Sequence, residues 1–292
     1  MKTVIVTGAA GGIGRETALL FAGRGNRVVA VDIDQLGAQT TAAEITVDGG
    51  IAVPYRLDVR DEEAWITFGQ WIAGEFGCAD VLVNNAGVMD LGGFVETDSA
   101  GWRRMVDVNL MSVIYGSKVF AQQMIDHGVR GHIVNISSAA AFLPSELDVA
   151  YAVSKAAVLM ATQSLRTELK RQHIGVSAIC PGAVRTDLLK NGRRNGLSDA
   201  ELTAWNEGAG AAQTVFGLSG PDKVARRIVK AVEKNWAIVP VGPEAWFINF
   251  AYRASPAAVR GVSSIAKFTL MERLLDLGRP VLTRLSAGQS SR

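Results

Sequence analysis

The sequence is poor in the features that define several large protein classes. Its 292 residues include only two cysteines, Cys78 and Cys180, which lie far apart and match no disulfide framework, redox motif or metal-ligand spacing. The formal net charge of +2 is too small for a typical nucleic-acid-binding protein. No uninterrupted run approaches the roughly 20 apolar residues that span a bilayer. We therefore expect a reduced, cytoplasmic globular protein that binds no nucleic acid and no metal.

The apolar residues at the start of the chain have only a superficial likeness to a secretory signal. They follow Lys2 but run directly into Gly8, without a long apolar region or a cleavage site. We interpret them as the first buried strand.

Short apolar segments rich in β-branched residues alternate with longer segments of helical spacing. The predicted strands are residues 3–7, 27–31, 51–57, 81–84, 132–136, 176–180 and 237–241. The predicted helices include residues 14–25, 61–76, 99–127, 151–172 and 221–234. Strands that are apolar on both faces and alternate with helices are typical of a parallel sheet covered on both sides. The pattern predicts one α/β domain over residues 1–242.

Two regions depart from this alternation. Residues 185–219 are rich in Gly, Asn and Arg, which indicates a mobile excursion from the sheet. Residues 243–292 contain several aromatic side chains followed by apolar residues at helical spacing, which predicts a helical C-terminal extension. Three roles for this extension stay open, in decreasing order of preference: packing on its own or a partner subunit, a lid over the substrate entrance, and peripheral contact with a membrane.

A glycine-rich turn joins the first strand to the first helix. Gly8 permits a tight turn, while Gly12 and Gly14 let a phosphate group and the neighbouring strand approach the backbone. A helix N-terminus that follows such a turn can present N–H groups to a pyrophosphate. The turn alone is also compatible with a flexible connection, but its place between strand and helix favours nucleotide binding.

Asp32 follows the second strand, 18 positions after Gly14. A carboxylate at this position can accept hydrogen bonds from both hydroxyls of an adenosine ribose, and it repels a 2′-phosphate. The alternative is a solvated turn aspartate. Arg15 and Arg24 lie nearby, but no cation directly follows Asp32. The pattern therefore favours NAD over NADP.

Tyr151 and Lys155 are four residues apart at the start of a predicted helix, so both side chains lie on one helical face. A free tyrosine, with a pKa of about 10, is a poor base near neutral pH. The Lys155 ammonium and an oxidised nicotinamide ring would both lower the pKa of Tyr151. A Tyr-x-x-x-Lys pair is common in helices, so it carries weight only in combination with other residues.

Ser138 and Asn109 supply that combination. Ser138 lies at the end of a strand, where its hydroxyl can hold a substrate oxygen against Tyr151. Asn109 lies within a long predicted helix, where it could stabilise a helix irregularity and a water that connects Lys155 to solvent. A turn serine and a structural polar residue are the alternatives for the two positions taken singly.

These residues occur in the order and spacing of a known family. The motifs are residues 7–14, Asp58-Val59, residues 84–87 (Asn-Asn-Ala-Gly), Asn109, Ser138, Tyr151 with Lys155, and Pro181-Gly182. Over residues 1 to 190 the chain resembles the short-chain dehydrogenase/reductase family. The resemblance implies a doubly wound Rossmann-type parallel sheet of about seven strands and an NAD-dependent enzyme. It also implies a homodimer or homotetramer built through the long helices around Asn109 and Tyr151.

The resemblance also implies roles for individual residues. The catalytic residues would be Asn109, Ser138, Tyr151 and Lys155. The cofactor would be held by Gly8, Gly12, Ile13, Gly14, Asp32, Asp58, Val59, Asn85, Gly87, Tyr151, Lys155, Val184 and Thr186. Within this set, Asp58 and Val59 would lie beside the adenine, and Thr186 would hold the nicotinamide carboxamide. The chain departs from many members at Ala141, where they have glycine, and this residue could reshape the substrate wall.

The segments expected to border the substrate are mainly apolar. Met89, Leu91 and Phe94 follow the motif at residues 84–87, and residues 142–147 lie between Ser138 and Tyr151. We therefore hypothesise that the substrate is a hydrophobic secondary alcohol or ketone, with proton transfer by Tyr151. Asp90, by contrast, could bind a polar group.

Two other functions remain alternatives. One is an epimerase or dehydratase on the same scaffold that recycles its nicotinamide. The other is an NAD-binding sensor without significant turnover, which the presence of both Tyr151 and Lys155 disfavours.

Overall fold

The computed structural model describes residues 1–185, residue 188 and residues 219–255. These residues contain a seven-stranded parallel sheet with the strand order β3-β2-β1-β4-β5-β6-β7. The strands are β1 (Thr3–Thr7), β2 (Arg27–Asp32), β3 (Ile51–Arg56), β4 (Val81–Asn84), β5 (His132–Ile136), β6 (Gly175–Pro181) and β7 (Ile238–Val241). The predicted α/β fold with a doubly wound, Rossmann-type parallel sheet is confirmed.

Helices connect the strands and cover both faces of the sheet. Those within the described ranges are α1 (Gly12–Ala22), α2 (Gln35–Val47), α3 (Glu62–Phe76), α4 (Ser99–Val106), α5 (Ser112–Asp126), α6 (Val149–Glu168), α7 (Pro221–Lys234) and α8 (Pro243–Ala254). A π-helical turn (Asp107–Met111) joins α4 to α5, and 3₁₀ turns occupy Ala139–Phe142 and Leu169–Gln172.

The alternation of side chains along each strand divides the core into two layers. On β1, Val4 and Val6 face the layer that contains Ile228 of α7. Ile5 points to the opposite layer, where it joins Phe68 of α3. All five side chains are completely buried. Because both faces of each central strand are buried, the strands have the continuous apolar character that their sequences predict.

The order of the strands reverses between β1 and β4, which lie side by side although two strands separate them in the chain. The connections from these two strands therefore leave in opposite directions, and a crevice opens at their carboxyl ends. Thr7 ends β1 and Asn84 ends β4, so the glycine-rich turn and the motif at residues 84–87 meet at this crevice.

The π-helical turn at Asp107–Met111 divides the predicted helix 99–127 at the position where the sequence predicts an irregularity around Asn109. One feature of the fold differs from the sequence-based prediction. Helix α2 was not among the predicted helices. Its buried residues are Ala38, Thr41, Ala42 and Ile45, a set too small and too polar to give a strong apolar period, and its start is capped by Asp34, whose Oδ1 accepts from the Gly37 N–H at 3.1 Å.

The start of the predicted C-terminal extension is helical. Helix α8 begins with Pro243 and packs against the 3₁₀ turn that follows β5, with the rings of Phe142 and Tyr252 5.9 Å apart. Residues 256–292 and most of the predicted excursion at 185–219 lie outside the described residues. No helix of the described ranges is long and apolar enough to cross a bilayer.

Candidate active site

The glycine-rich turn after β1 depends on two glycines. Gly8 has a φ of +66°, a left-handed conformation that strains other residues. A Cβ on Gly14 would lie 2.0 Å from the Gly8 carbonyl oxygen, so the two backbone segments approach each other only because both residues lack side chains. The turn is thereby fixed as a tight loop over the carboxyl end of β1.

Helix α1 begins at this loop, without a side-chain cap and next to open space. Gly12 is its first residue, and Gly11, which precedes it, makes no side-chain cap. A Cβ added to Gly11 would meet no atom within 4 Å, so the space beside the helix start is open. Ile13 turns inward and packs on the core. An uncapped helix N-terminus beside open space fits the pyrophosphate of a dinucleotide, which accepts hydrogen bonds from these N–H groups.

The carboxylate of Asp32 lies at the end of β2, next to the glycine-rich loop. Its Oδ2 accepts a hydrogen bond from the Ala10 N–H at 3.0 Å, and its Oδ1 accepts from the Asp34 N–H, also at 3.0 Å. Each carboxylate oxygen has a further lone pair, and the side chain is half-buried. The carboxylate is therefore oriented by the backbone and still able to accept from the hydroxyls of a ribose.

Asp58 and Val59 follow β3 at the same edge of the sheet. The Leu57 N–H donates to the Asp32 carbonyl at 3.0 Å, which ties this segment to the end of β2. The Asp58 carboxylate accepts from Arg60 Nε at 2.9 Å, and this hydrogen bond holds the pKa of Asp58 below its usual value. Val59 is buried in the core.

Thr7 and Asn85 join the glycine-rich loop to the end of β4. The Thr7 hydroxyl oxygen accepts from the Asn85 N–H at 2.9 Å and from the Ala86 N–H at 3.0 Å. In return, the Asn85 amide donates to the Thr7 carbonyl at 2.8 Å. The two sides of the crevice are thus held together by the very residues that line it.

Asn109 lies in the π-helical turn and is completely buried. Its Oδ1 accepts from the Val88 N–H at 2.9 Å, and its Nδ2 donates to the Val88 carbonyl and to Ser154 Oγ, both at 3.0 Å. The Ser154 hydroxyl donates to the Tyr151 carbonyl at 2.7 Å. Asn109 therefore ties the segment after β4 to the first turn of α6. The predicted helix irregularity at Asn109 is confirmed.

Tyr151 and Lys155 face the crevice from α6, and both are buried. The Tyr151 hydroxyl lies close to Ser138, which caps the 3₁₀ turn after β5. Lys155 Nζ lies 5.7 Å from the centroid of the Tyr151 ring and donates to the Ile136 carbonyl at 2.9 Å. Ser138, Tyr151 and Lys155 are therefore brought together as predicted.

The two ionisable groups have opposite pKa shifts with one cause. Burial raises the pKa of Tyr151 to about 12, although the interaction with the nearby Ser138 lowers it in part. Burial also lowers the pKa of Lys155 to about 8. The shift of Tyr151 runs against the direction predicted from the Lys155 charge, because desolvation of the phenolate outweighs the favourable interactions around it.

Gly87 lies between Asn109 and Lys155. A Cβ on Gly87 would come within 3.2 Å of Asn109 Oδ1 and 3.4 Å of Lys155 Nζ. The absence of a side chain here leaves the crevice open in front of the Lys155 ammonium. This opening fits the part of a dinucleotide that follows the pyrophosphate.

Apolar side chains surround Tyr151 on the substrate side. The cluster contains Met105 and Ala150 together with Val88, Met89, Trp102, Ala140 and Leu188. The segments after β4 and before α6 are joined by a hydrogen bond from the Gly92 N–H to the Leu147 carbonyl at 2.6 Å. Both segments predicted to border the substrate therefore lie on the same side of the site.

Two residues expected at the substrate wall lie elsewhere. Ala141 and Phe142 belong to a separate cluster with Leu159, on the side of the 3₁₀ turn that faces α8. The 3₁₀ turn directs successive side chains to different sides, so Ala140, not Ala141, lies beside Tyr151.

The remaining predicted site residues lie at or beyond the end of β6. Val184 follows this strand, is half-buried, and forms a bridge with Ser219. Thr186 lies outside the described residues, so its predicted contact stays a prediction. Across the described ranges there is no group of three or more His, Cys, Asp or Glu side chains that could hold a metal ion.

The sequence patterns did not identify three residues that organise the site. Thr7 was seen only as part of the glycine motif, and Ser154 only as a spacer between Tyr151 and Lys155. Leu188, which packs on the Tyr151 cluster, falls in a segment without any periodic signal. The spacing of Ser154, three residues after Tyr151, would have placed its hydroxyl within reach of the Tyr151 carbonyl.

Comparison with known proteins agrees with this geometry. Residues 2–196 match the short chain dehydrogenase family. The chain is 42% identical over 263 residues to the "Probable oxidoreductase EphD" of Mycobacterium tuberculosis, covering 90% of this chain but 44% of that protein. It is 35% identical over 204 residues to galactitol 2-dehydrogenase of Agrobacterium fabrum, covering 70% and 76% of the two chains.

Its fold also matches a solved short chain dehydrogenase/reductase from Burkholderia phymatum in complex with NAD. The TM-score is 0.78 at 27% identity, and the match covers 86% of this chain and 92% of that chain. The chain thus spans less than half the length of its mycobacterial relative and most of the length of the others. Together with the sheet order and the crevice residues, these matches show that the chain belongs to the short-chain dehydrogenase/reductase family.

Proposed function

We propose that this chain is an NAD-dependent dehydrogenase/reductase that interconverts a secondary alcohol and its ketone. The proximity of the Ser138 and Tyr151 hydroxyls, next to the buried Lys155, carries the proposal. One substrate oxygen bound between the two hydroxyls could contact both. When bound, the nicotinamide supplies hydride transfer, and the protein supplies orientation and proton transfer.

Tyr151 transfers the proton. Its raised pKa keeps the phenol protonated near neutral pH, which is the form needed to protonate a ketone oxygen during reduction. In the oxidative direction the phenolate must accept the hydroxyl proton of the alcohol. A positive charge close to the ring, as on an oxidised nicotinamide, would lower the pKa of Tyr151 and favour that form.

Lys155 and Asn109 support this transfer. The lowered pKa of Lys155 allows its ammonium to release a proton slightly above neutral pH. Its Nζ is held by the Ile136 carbonyl within reach of the space in front of Gly87. Asn109 keeps Val88 and the first turn of α6 in place, and a water beside it could connect Lys155 to solvent.

The charges around Asp32 favour NAD over NADP. The Asp32 carboxylate is oriented to accept ribose hydroxyls, and it would repel a 2′-phosphate. Arg15, a cation near the loop, is ion-paired with Glu16 at 2.7 Å and with Glu44 at 2.5 Å. Arg24 is ion-paired with Glu233. With both cations engaged by carboxylates, neither is free to bind a phosphate.

The substrate that best fits the site is an apolar secondary alcohol. Tyr151 is surrounded by aliphatic, thioether and indole groups, and the acidic Asp90 at this side is already paired with Arg104. A polyol is the second candidate, because a relative at 35% identity is a galactitol 2-dehydrogenase. A polyol would require polar partners for several hydroxyls, since buried polar groups without partners are costly.

We also propose that the protein is a homo-oligomer formed through α5 and α6. Both helices carry exposed apolar side chains, including Ile114, Val153 and Met160. Size-exclusion chromatography with light scattering should give the mass of a dimer or tetramer. The mass of a monomer would contradict this assembly.

The experiment is a spectrophotometric assay with NAD or NADP and a panel of cyclic, long-chain and sterol-like alcohols together with galactitol. We expect NAD reduction with an apolar alcohol, and we expect Tyr151→Phe to lose almost all turnover but to keep its affinity for NADH. Tyr115→Phe is the matched control, because Tyr115 packs in the core away from the site. Turnover by Tyr151→Phe would refute the role of Tyr151. NAD binding without turnover on any alcohol would favour the sensor.

A further inference from the structure

Helix α8 carries aromatic side chains on the face that points away from the protein. Trp246, Phe247 and Phe250 are 53%, 71% and 70% exposed. The opposite face is anchored, since Ala245 and Asn249 are buried. We call the three exposed side chains the aromatic face. Single exposed apolar side chains are common on protein surfaces, but a contiguous group of them is unfavourable in water. Large apolar side chains that share one exposed helix face therefore indicate a contact surface.

A cleft rich in cations borders the start of α8. It is lined by Lys223, Arg226, Arg227 and Lys230 of α7, with Pro243 at the first turn of α8. We call these four side chains the cationic cleft. They recur at helical spacing on the outer face of α7, whose inner face contributes Val224 and Ile228 to the core.

The cleft has more positive charge than its neighbours neutralise. Arg226 is paired with Asp222, and Arg227 lies over the Trp236 ring at 5.9 Å. Lys223 and Lys230 have no salt bridge to any acid within the described ranges. Glu244 in the first turn of α8 is exposed, and its carboxylate accepts from the Ala183 N–H at 3.1 Å. The four cations of the cleft therefore still exceed the two nearby acids, Asp222 and Glu244. The surface therefore presents net positive charge beside exposed aromatic rings.

We propose that the aromatic face and the cationic cleft together form a docking surface for a bilayer that contains anionic phospholipids. Aromatic side chains of an interfacial helix insert at the level of the headgroups, while adjacent Lys and Arg side chains bind anionic headgroups. This proposal does not depend on the proposed catalytic function.

The charge of this surface argues for a lipid partner and against a second copy of the chain. A symmetric contact through the aromatic face would bring two cationic clefts together, and like charges in contact are unfavourable. The sequence after α8 has the same bias: residues 256–292 include six Lys or Arg and two Asp or Glu. The sequence that follows α8 therefore has the same sign of net charge as the cationic cleft.

The test is co-sedimentation of the full chain with vesicles of phosphatidylcholine alone or mixed with phosphatidylserine. We expect binding to the mixed vesicles that weakens at high salt. The double variant Lys223→Gln with Lys230→Gln should bind the mixed vesicles about 25-fold more weakly, because the loss of each cation lowers the affinity about fivefold. Phe247→Ser with Phe250→Ser should weaken it about tenfold or more, since both rings lose their burial in lipid. Lys170→Glu and Val47→Ser, exposed positions on other surfaces, are the matched controls.

A second measurement locates the contact. Brominated phosphatidylcholine should quench part of the tryptophan fluorescence in the mixed vesicles, and Trp246→Phe should lose that quenched part. Absence of binding by the wild-type chain would overturn the proposal. So would equal binding by the wild type and both double variants, because the contact would then lie elsewhere. Self-association of the wild type that Phe247→Ser with Phe250→Ser abolishes, without any vesicle binding, would show a second copy as the partner.

Discussion

Acidification should destabilise the protein through a single buried histidine far from the site. His132 lies on β5 with 5% of its surface exposed. Its Nε2 is 2.8 Å from Ser177 Oγ, and the Ser177 hydroxyl donates to the Trp236 carbonyl at 2.5 Å. The Ser177 oxygen must therefore accept from a His132 Nε2–H, which leaves Nδ1 unprotonated. Nδ1 faces Gly175 so closely that a Cβ there would lie 2.1 Å away.

The size of the effect follows from the pKa of His132. Burial, with repulsion from Arg166 and Lys2, lowers this pKa to about 4. In the unfolded chain the value returns to about 6.5, so the unfolded state binds the proton more tightly than the folded state. The free energy of unfolding is then unaffected above pH 6.5 and falls by about 1.4 kcal/mol per pH unit below it. By pH 4 the loss from this one residue reaches about 3 kcal/mol.

The assay is urea denaturation followed by tryptophan fluorescence at several pH values between 7.5 and 4. His132→Gln keeps a side-chain N–H for Ser177 and cannot titrate, so its stability should fall less over this interval than that of the wild type. His127→Gln, which changes an exposed histidine, is the control and should follow the wild type. If His132→Gln and the wild type lose stability in parallel between pH 6.5 and 4, the assigned role of His132 is wrong.

Three further changes test the organisation of the crevice. Gly14→Ala should lower the free energy of unfolding by about 1–3 kcal/mol in urea denaturation, because its Cβ would overlap the Gly8 carbonyl oxygen. Asp32→Ala should raise the Kd for NADH in a fluorescence titration by about tenfold or more, since charge-assisted hydrogen bonds to the ribose contribute about 1.5–3 kcal/mol. Ser154→Ala removes a hydrogen-bond partner of Asn109, so it should lower the free energy of unfolding by about 1–3 kcal/mol. It should also lower kcat. An unchanged kcat would limit Ser154 to a structural role.

Most of the fold was predictable from the sequence because the central strands are buried on both faces. Their β-branched residues form runs with sharp ends, and β1, β4 and β5 have the predicted bounds. Helix α2 was not predictable in the same way. Its packing relies on small residues such as Ala38 and Ala42, and a hydrogen bond from the Thr41 hydroxyl to the Ala9 carbonyl at 2.8 Å anchors it. A buried threonine that is held by a hydrogen bond from its hydroxyl cannot be recognised from the spacing of apolar residues.

The candidate site shows where sequence spacing loses its predictive power. The four-residue spacing of Tyr151 and Lys155 correctly predicts that both lie on one face of α6, since spacing determines direction on a helix. The spacing does not determine how deeply that face is buried. Desolvation favours the neutral form of each group, so it raises the pKa of the phenol and lowers that of the amine. Near neutral pH the phenol of Tyr151 is therefore protonated. A phenolate then requires a positive charge beside the ring, which ties the basic form of Tyr151 to the ligand that brings that charge.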